Sequence, residues 1–202
     1  MLKSKKIAVT GGLSCGKSLV CRILQSLGTC VVSADKIVHQ LLSSDQNIVR
    51  KVVDLLGSEV LVNCKVDRNR VANLVFNDRH LLRALELLIH PAVYAEIDRQ
   101  YLLQECISQP PPLFVAEVPL LYESDAAKKF DLVIVVVADM MECRRRFEEC
   151  KCGDQIEFDK RTARLIPLSE KIAQADYIIM NTGNASDLQC QTKELYQKLL
   201  DA

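Results

Sequence analysis

The sequence predicts an α/β fold in which a five-stranded parallel sheet lies between two layers of helices in a doubly wound, three-layer arrangement. Short runs of apolar, mostly β-branched residues recur along the chain, and stretches with helical spacing separate them. These runs do not alternate between apolar and polar residues, which is typical of strands that are buried on both faces of a parallel sheet.

The strands are predicted at residues 6–10, 29–33, 113–118, 132–137 and 176–180. A helix is predicted over residues 17–27, and Gly28 is a candidate for its C-terminal cap. Two long stretches, 34–109 and 139–175, lack strand signals and are mostly helical in pattern, with a break in the first at 57–67. The pair His90-Pro91 is expected to kink or restart a helix, because proline has no amide hydrogen and its ring clashes with the preceding turn.

Composition excludes several classes of protein. The 202 residues fit one domain, and 26 basic against 26 acidic residues give no net charge. Binding to nucleic acid through a general basic field is therefore not expected. The apolar runs are too short for a signal peptide or a membrane span, so a soluble cytoplasmic protein is predicted. Nine irregularly spaced cysteines without a CxxC pair do not predict a metal site.

The strongest local pattern directly follows the first predicted strand. It matches G-x-x-x-x-G-K-[ST] in full and precedes an amphipathic helix, as a phosphate-binding loop for a nucleoside triphosphate requires. Glycines let successive amides turn toward one anion, and the helix start adds the positive end of its dipole. Lys17 supplies a full charge for the β and γ phosphates, and the Ser18 hydroxyl is a hard oxygen ligand for Mg²⁺. The predicted nucleotide contacts are Gly11, Gly12, Leu13, Ser14, Cys15, Gly16, Lys17 and Ser18.

Asp35 is the residue that favours a kinase over other phosphate-loop proteins. It lies two residues past the second predicted strand, and the carboxyl ends of strands line the ligand crevice of a doubly wound sheet. A kinase needs a carboxylate that positions or deprotonates the acceptor hydroxyl. Aspartate is also a good N-cap for the helix that follows. Position alone does not separate these two interpretations, and both can hold together.

Two other polar residues stand at the ends of predicted strands. Glu117 ends the third strand, where a carboxylate is costly to bury unless it is paired or serves an ion, so Glu117 is a candidate Mg²⁺ ligand. Asn181 follows the fifth strand in a short polar turn. That turn either brackets an adenine ring or is a plain turn, and the plain turn is the simpler interpretation.

A cluster of arginines follows the fourth predicted strand. Arginines in a helical segment above a phosphate loop can stabilise the charge of a transferring phosphoryl group and exclude water. Neighbouring glutamates nearly cancel this charge, which favours a solvated face, so at most one or two of the five are expected to contact phosphate. The five are Arg144, Arg145, Arg146, Arg161 and Arg164.

Beyond the loop, an ordered set of segments from Ile7 to about Gly183 resembles the dephospho-coenzyme A kinase family. The loop is shared by many families, whereas the His-Pro and Val-Pro-Leu-Leu segments are much more specific. The segments are Thr10-Gly11-Gly12 with Gly16-Lys17-Ser18, Ala34-Asp35 with Gln40, Val66-Asp67-Arg68, Val75-Phe76, Ile89-His90-Pro91, Val118-Pro119-Leu120-Leu121 with Glu123, and Ala175-Asp176 with Asn181 and Gly183.

The resemblance implies a P-loop kinase that uses ATP and Mg²⁺ to phosphorylate the ribose 3′-hydroxyl of dephospho-coenzyme A, the last step of coenzyme A synthesis. Asp35 becomes the candidate base and Lys17 the second catalytic residue. Ser18 becomes the magnesium ligand, beside Glu117, whose place at the end of the third strand makes it a candidate. Further nucleotide contacts are Leu19, Arg146 and Asn181. The implied acceptor contacts are Asp35, Arg68, His90, Pro119 and Leu120.

The resemblance also implies one domain with three parts. The core is expected at about 1–59, 111–138 and 176–202, the coenzyme A-side helical region at about 60–110 and the lid at about 139–175. The lid departs from the family pattern at Cys150-Lys151 and at Leu165, which leaves Lys151 or Arg146 for the phosphate contact. Cys15 is unusual inside the loop, but a small thiol is tolerated there because backbone amides bind the phosphate.

Two other functions stay open at this point. A kinase for nucleoside monophosphates or another small metabolite needs the same loop and carboxylate. A nucleotide-dependent switch needs only the loop, and the helical insert, which has the size for an acceptor, argues against it. No pattern indicates a membrane, a nucleic acid or an obligate protein partner.

Overall fold

The computed structural model describes residues 4–63, 65–75, 78–150 and 153–201. The chain divides into two compact units. The first contains Met1–Ser33 and Tyr101–Ala202, and the second contains Ala34–Gln100. None of the helices in the described ranges is long and apolar enough to cross a membrane.

The first unit is a five-stranded parallel sheet with helices packed on it. Its strands are β1 (Lys5–Gly11), β2 (Cys30–Ser33), β5 (Leu113–Glu117), β6 (Leu132–Val137) and β7 (Tyr177–Met180), and its helices are α1 (Lys17–Ser26), α6 (Met140–Glu149), α7 (Gln155–Thr162), α8 (Leu168–Ala173) and α9 (Ala185–Asp201). The strand order is β2-β5-β1-β6-β7, so β1 lies in the centre of the sheet. Helix α1 packs against α9, and α8 packs next to β6.

The sheet is buried because its central strands carry apolar side chains on both faces. Ile7, Val115 and Ile134 have no exposed surface, and they pack in one cluster with residues of α1 and α9. Burial of each such side chain stabilises the fold by roughly 1.5–3 kcal/mol. The register pairs Val9 with both Glu117 and Ile134, which brings the carboxyl ends of β1, β5 and β6 to one edge of the sheet.

The second unit is mainly helical. It contains α2 (Ala34–Ser44), α3 (Gln46–Leu56), α4 (Arg68–Val75) and most of α5 (Arg79–Glu105), together with an antiparallel hairpin of β3 (Leu61–Val62) and β4 (Lys65–Val66). Asp45 caps α3 by accepting hydrogen bonds from the amides of Asn47 and Ile48. Gly57, with φ +89°, ends the same helix, because a left-handed backbone cannot continue it.

The predicted fold class is confirmed, and each predicted strand is present within one or two residues of its expected bounds. The expected restart at His90-Pro91 is wrong, since α5 runs through Pro91. Leu87, whose carbonyl loses its helical donor, lies at the surface, where water can replace that donor. The hairpin at 61–66 lies inside the expected break and was not predicted, because strands of two residues leave no periodic pattern.

Candidate active site

The loop from Gly11 to Lys17 joins β1 to α1 at the carboxyl edge of the sheet. The amides of Leu13, Ser14, Cys15 and Gly16 donate no hydrogen bond to any described part of the chain. Ser14 has φ +54°, a left-handed conformation that is uncommon outside glycine and that is often found at ligand-binding turns. Four consecutive unbonded amides at the start of a helix form a cradle for an anion.

Two positions of this loop require glycine, because a Cβ atom there would collide with a neighbouring group. A Cβ on Gly11 would lie 2.2 Å from the carbonyl oxygen of Val136, in the neighbouring strand β6. A Cβ on Gly16 would lie 2.4 Å from the side-chain nitrogen of Asn181, and Gly16 also has φ +99°. The pattern G-x-x-x-x-G therefore marks two places where the loop touches the sheet and the turn after β7.

Lys17 is the first residue of α1, and its side chain is 9% exposed. Its Nζ donates a 2.7 Å hydrogen bond to the carbonyl oxygen of Gly12 and lies 3.9 Å from Sγ of Cys15. The ammonium group is thus folded over the loop, on the side of the residues whose amides are unbonded. A charge in this partly buried position acts more strongly on a bound phosphate than one in bulk water.

Ser18 and Glu117, the two predicted metal ligands, are in direct contact. The Ser18 hydroxyl donates a 2.6 Å hydrogen bond to Oε1 of Glu117. The contact follows from topology, because β5 lies beside β1 and Glu117 pairs with Val9 near the start of the loop. A hydroxyl and a carboxylate oxygen at this distance are the hard oxygen donors that Mg²⁺ prefers.

Asn181 fixes the position of the loop from the other side. Its backbone amide donates a 2.7 Å hydrogen bond to the carbonyl oxygen of Val137 at the end of β6. Its side-chain amide donates a 2.9 Å bond to the carbonyl oxygen of Cys15, and the residue is buried. A plain turn after β7 does not account for this contact, since Asn181 supports the shape of the phosphate loop directly.

Arg146 is the arginine of α6 that lies beside the loop. Its Nη1 would be 3.8 Å from a Cβ built on Gly16, while its Nε donates a 2.9 Å bond to Glu142. The guanidinium group of Arg145, followed by that of Arg146, lowers the pKa of the Glu142 carboxyl to about 2. Arg146 therefore has one guanidinium edge paired and another near the anion cradle.

Three of the other arginines are paired with carboxylates of the same segment. Arg144 binds Asp159 at 2.7 Å, Arg145 binds Glu142 and Glu149, and Arg161 binds Glu157. These pairs agree with the expected solvated face. Lys151, the other residue expected at the phosphate, lies outside the described residues.

A cavity of about 300 Å³ lies between the phosphate loop and the segment 138–171. Gly12, Leu13 and Cys15 line it on the loop side, and Phe158 and Leu165 line it on the other. The Cys15 side chain is 1% exposed. The thiol of Cys15 therefore points into the protein, which explains why a cysteine is tolerated in this loop.

Asp35 is the second residue of α2, in the second unit. The N-cap interpretation is wrong, because the helix begins at Ala34 and the Asp35 carboxylate accepts no helix amide. In the described part of the chain it has no hydrogen-bond or ion-pair partner, and the residue is exposed. The carboxylate is therefore exposed and unbonded within the described residues, and its catalytic role stays a prediction.

The residues expected to contact the acceptor lie in two places. Pro119 follows β5 and accepts a 3.2 Å hydrogen bond from the Thr10 hydroxyl, and Leu120 is next to it. Arg68 begins α4 and is exposed, whereas His90 is half-buried with its ring edge-on to Tyr94. Burial lowers the pKa of the His90 imidazole, and the Glu86 carboxylate opposes this shift.

The structure adds residues that sequence reasoning did not assign to the site. Thr10 holds the Pro119 carbonyl, and Lys171 forms a buried ion pair with Glu123. Glu123 belongs to the Val-Pro-Leu-Leu segment of the resemblance, which marked it without explaining it. For Lys171 no local signal exists, because a lysine in a charged helical stretch looks like any surface lysine.

The parallel sheet, the anion cradle and the lysine at the start of α1 define the class of P-loop nucleotide-binding proteins. The family model described as dephospho-CoA kinase matches residues 5–187. The chain belongs to the dephospho-CoA kinase family.

Known relatives match this chain along nearly its full length. The chain is 53% identical over 199 residues to a dephospho-CoA kinase of Protochlamydia amoebophila, a match that covers 98% of both proteins. Among solved structures, TT1252 of Thermus thermophilus aligns with a TM-score of 0.79 at 29% identity, over 98% of this chain and 99% of that one. The dephospho-CoA kinase of Campylobacter jejuni aligns with a TM-score of 0.71 at 28% identity, over 96% of each.

Proposed function

We propose that this chain transfers the γ-phosphoryl group of ATP to the ribose 3′-hydroxyl of dephospho-coenzyme A, which yields coenzyme A and ADP. The observation that carries the proposal is the anion cradle of four unbonded amides next to Lys17, in a chain that the family model matches almost throughout. We place this reaction in the cytoplasm.

In this proposal the loop binds the β and γ phosphates. The amides of residues 13–16 bind the phosphate oxygens, and Asn181 keeps them in place through its bond to the Cys15 carbonyl. Lys17 and Arg146 balance the negative charge that spreads over the transferring group. Because contacts within the chain hold these groups in place, little reorganisation is expected to accompany the reaction.

Ser18 and Glu117 are proposed to hold Mg²⁺. Both side chains offer hard oxygens 2.6 Å apart. This small donor set fits Mg²⁺, which is usually bound by one or two protein groups together with phosphate oxygens and water. When bound, the ion supplies charge neutralisation and orientation of the phosphates.

Asp35 is proposed as the base that takes the proton of the acceptor hydroxyl. The carboxylate has no other partner among the described residues. Pro119, Leu120, Arg68 and His90 are proposed to contact dephospho-coenzyme A, with the helical region at about 60–110 on the coenzyme A side. The segment at about 139–175 is proposed to close as a lid and exclude water.

Purified protein mixed with ATP, Mg²⁺ and dephospho-coenzyme A is expected to form ADP and coenzyme A in equal amounts. Product formation is measured by liquid chromatography, with AMP, CMP and adenosine as alternative acceptors. Faster transfer to a nucleoside monophosphate than to dephospho-coenzyme A would reassign the enzyme to the other class of small-molecule kinase. ADP formation that does not depend on any acceptor would contradict a kinase.

The metal proposal predicts a selective effect on Mg²⁺ dependence. Ser18→Ala and Glu117→Gln are each expected to raise the Mg²⁺ concentration at half-maximal rate about tenfold, because the first removes an oxygen donor and the second removes the negative charge of the donor group. The measurement is initial rate against free Mg²⁺ at saturating substrates. Ser26→Ala, which removes a hydroxyl at the far end of α1, is the matched control and is expected to leave the curve unchanged. Unchanged Mg²⁺ dependence in both site variants would contradict the assignment.

A further inference from the structure

A buried ion pair connects the turn after β5 to the segment 166–171, which lines the cavity beside the loop. Oε1 of Glu123 lies 2.7 Å from Nζ of Lys171 and also accepts a 2.9 Å hydrogen bond from the amide of Ile166. The side chains of Lys171 and Glu123 are 1% and 14% exposed. One carboxylate oxygen therefore binds the segment that begins at Ile166 and the helix α8 that follows it.

Stability alone does not explain this pair. Removing two charges from water costs several kcal/mol, and the mutual attraction offsets that cost only where the remaining polar atoms are also bonded. Oε2 of Glu123 and the hydroxyl of the adjacent Tyr122 are buried without a hydrogen-bond partner in the described structure. Apolar pairs of similar volume are often at least as stabilising as buried ion pairs, so this pair is better explained by its role in fixing the two segments that it joins.

The ion pair holds one end of the turn that follows β5. Its first residue, Pro119, is held by Thr10 of β1, and the Leu120 carbonyl accepts a 2.7 Å bond from the Ser124 hydroxyl. At its other end, Glu123 joins the turn to α8. Lys171 and Ile166 also line the cavity that Gly12 and Leu13 border. The pair thus links the base of the expected lid to the turn expected to contact the acceptor.

We infer that Glu123 and Lys171 are positioning residues that fix the base of the lid to the turn at 119–123 and so determine the affinity for the acceptor. The inference rests on the proposed function, in which this turn contacts dephospho-coenzyme A. The pair makes no described hydrogen bond to the phosphate cradle, so its loss is expected to weaken acceptor binding more than ATP binding.

The test is a double-mutant cycle of Glu123→Gln, Lys171→Met and the double variant. Each single variant and the double variant are expected to raise KM for dephospho-coenzyme A about tenfold, with smaller changes in kcat and in Kd for ATP. Since the two residues act as a unit, the double variant is no worse than either single variant. Lys171→Arg is expected to restore most of the affinity, and Glu170→Gln, an exposed change in α8, is the matched control.

Two outcomes overturn the inference. One is an unchanged KM for dephospho-coenzyme A in every variant, and the other is a loss of ATP affinity equal to the loss of acceptor affinity. A single variant that fails to fold is replaced by the double variant, which leaves no unpaired buried charge.

A second measurement does not need the substrate. Hydrogen–deuterium exchange is expected to be faster at residues 119–126 in Lys171→Met than in Glu170→Gln, although Lys171 lies in a different segment. Unchanged exchange there overturns the positioning role. If the wild-type protein does not phosphorylate dephospho-coenzyme A, the proposed function fails, while the exchange experiment still reports on the pair.

Discussion

Lys17→Met is expected to lower the turnover number by a factor of about 10² to 10³. Lys17 is the first residue of α1, and its ammonium group lies 2.7 Å from the carbonyl oxygen of Gly12. This places a positive charge beside the amide cradle. Its interaction with the γ phosphate strengthens as charge develops on the transferring group, so its removal raises the barrier more than it weakens ATP binding. Methionine keeps most of the volume of the side chain, which is buried under the loop.

Steady-state kinetics and thermal unfolding test this expectation together. Lys193→Met removes an exposed lysine of α9 and is the matched control, with a rate like that of the wild type. The midpoint of unfolding of Lys17→Met is expected to stay within about 2–4 °C of the wild type, which corresponds to about 1 kcal/mol for a protein of this size. A variant that keeps more than about a tenth of the wild-type rate would show that Lys17 is not a major source of electrostatic stabilisation.

The fold class could be predicted because the information is local. A strand buried on both faces is a continuous apolar run, as residues 132–137 show without interruption, and the bounds predicted for it are those of β6. The loop is equally local, since its glycines, Lys17 and Ser18 are adjacent in the chain. Short-range patterns in the sequence were therefore enough to predict both the sheet and the nucleotide-binding side of the site.

The features that the sequence did not predict depend on contacts between residues that are far apart in the chain. Proline disfavours a helix interior, yet α5 continues through Pro91, so tertiary packing of the long helix outweighs the local preference. Asn181 is one of a few polar residues in a turn, and only the sheet topology brings its amide to the Cys15 carbonyl. The partners Glu123 and Lys171 are separated by β6, α6 and α7, so no spacing rule connects them.

The acceptor side is the part of the site for which sequence reasoning needed the family resemblance. Arg68 and His90 lie on helices whose patterns indicate only packing and exposure. A phosphate loop has a defined pattern because backbone geometry restricts its residues, whereas an acceptor pocket can be built from many side chains. The contacts of Arg68, His90, Pro119 and Leu120 with the acceptor therefore stay predictions.

Asp35→Asn is expected to lower kcat by a factor of about 10² to 10⁴, the usual contribution of a general base. Asparagine has nearly the same shape but cannot take a proton from the acceptor hydroxyl. ATP binding is expected to change by less than about twofold, because the amide cradle and Lys17 do not involve this carboxylate. Equilibrium binding of ATP and single-turnover transfer to dephospho-coenzyme A separate these two effects.

A purely structural role for Asp35 predicts a different result. An acidic residue in the first turn of α2 interacts favourably with the helix dipole, and losing that interaction costs about 0.3–1 kcal/mol without slowing transfer. Asp54→Asn changes an exposed carboxylate of α3 and is the matched control for any general effect of charge. If Asp35→Asn lowers the unfolding midpoint by a few degrees and keeps the wild-type kcat, Asp35 only stabilises the helix. If the rate falls while the midpoint stays nearly constant, the carboxylate acts on the acceptor.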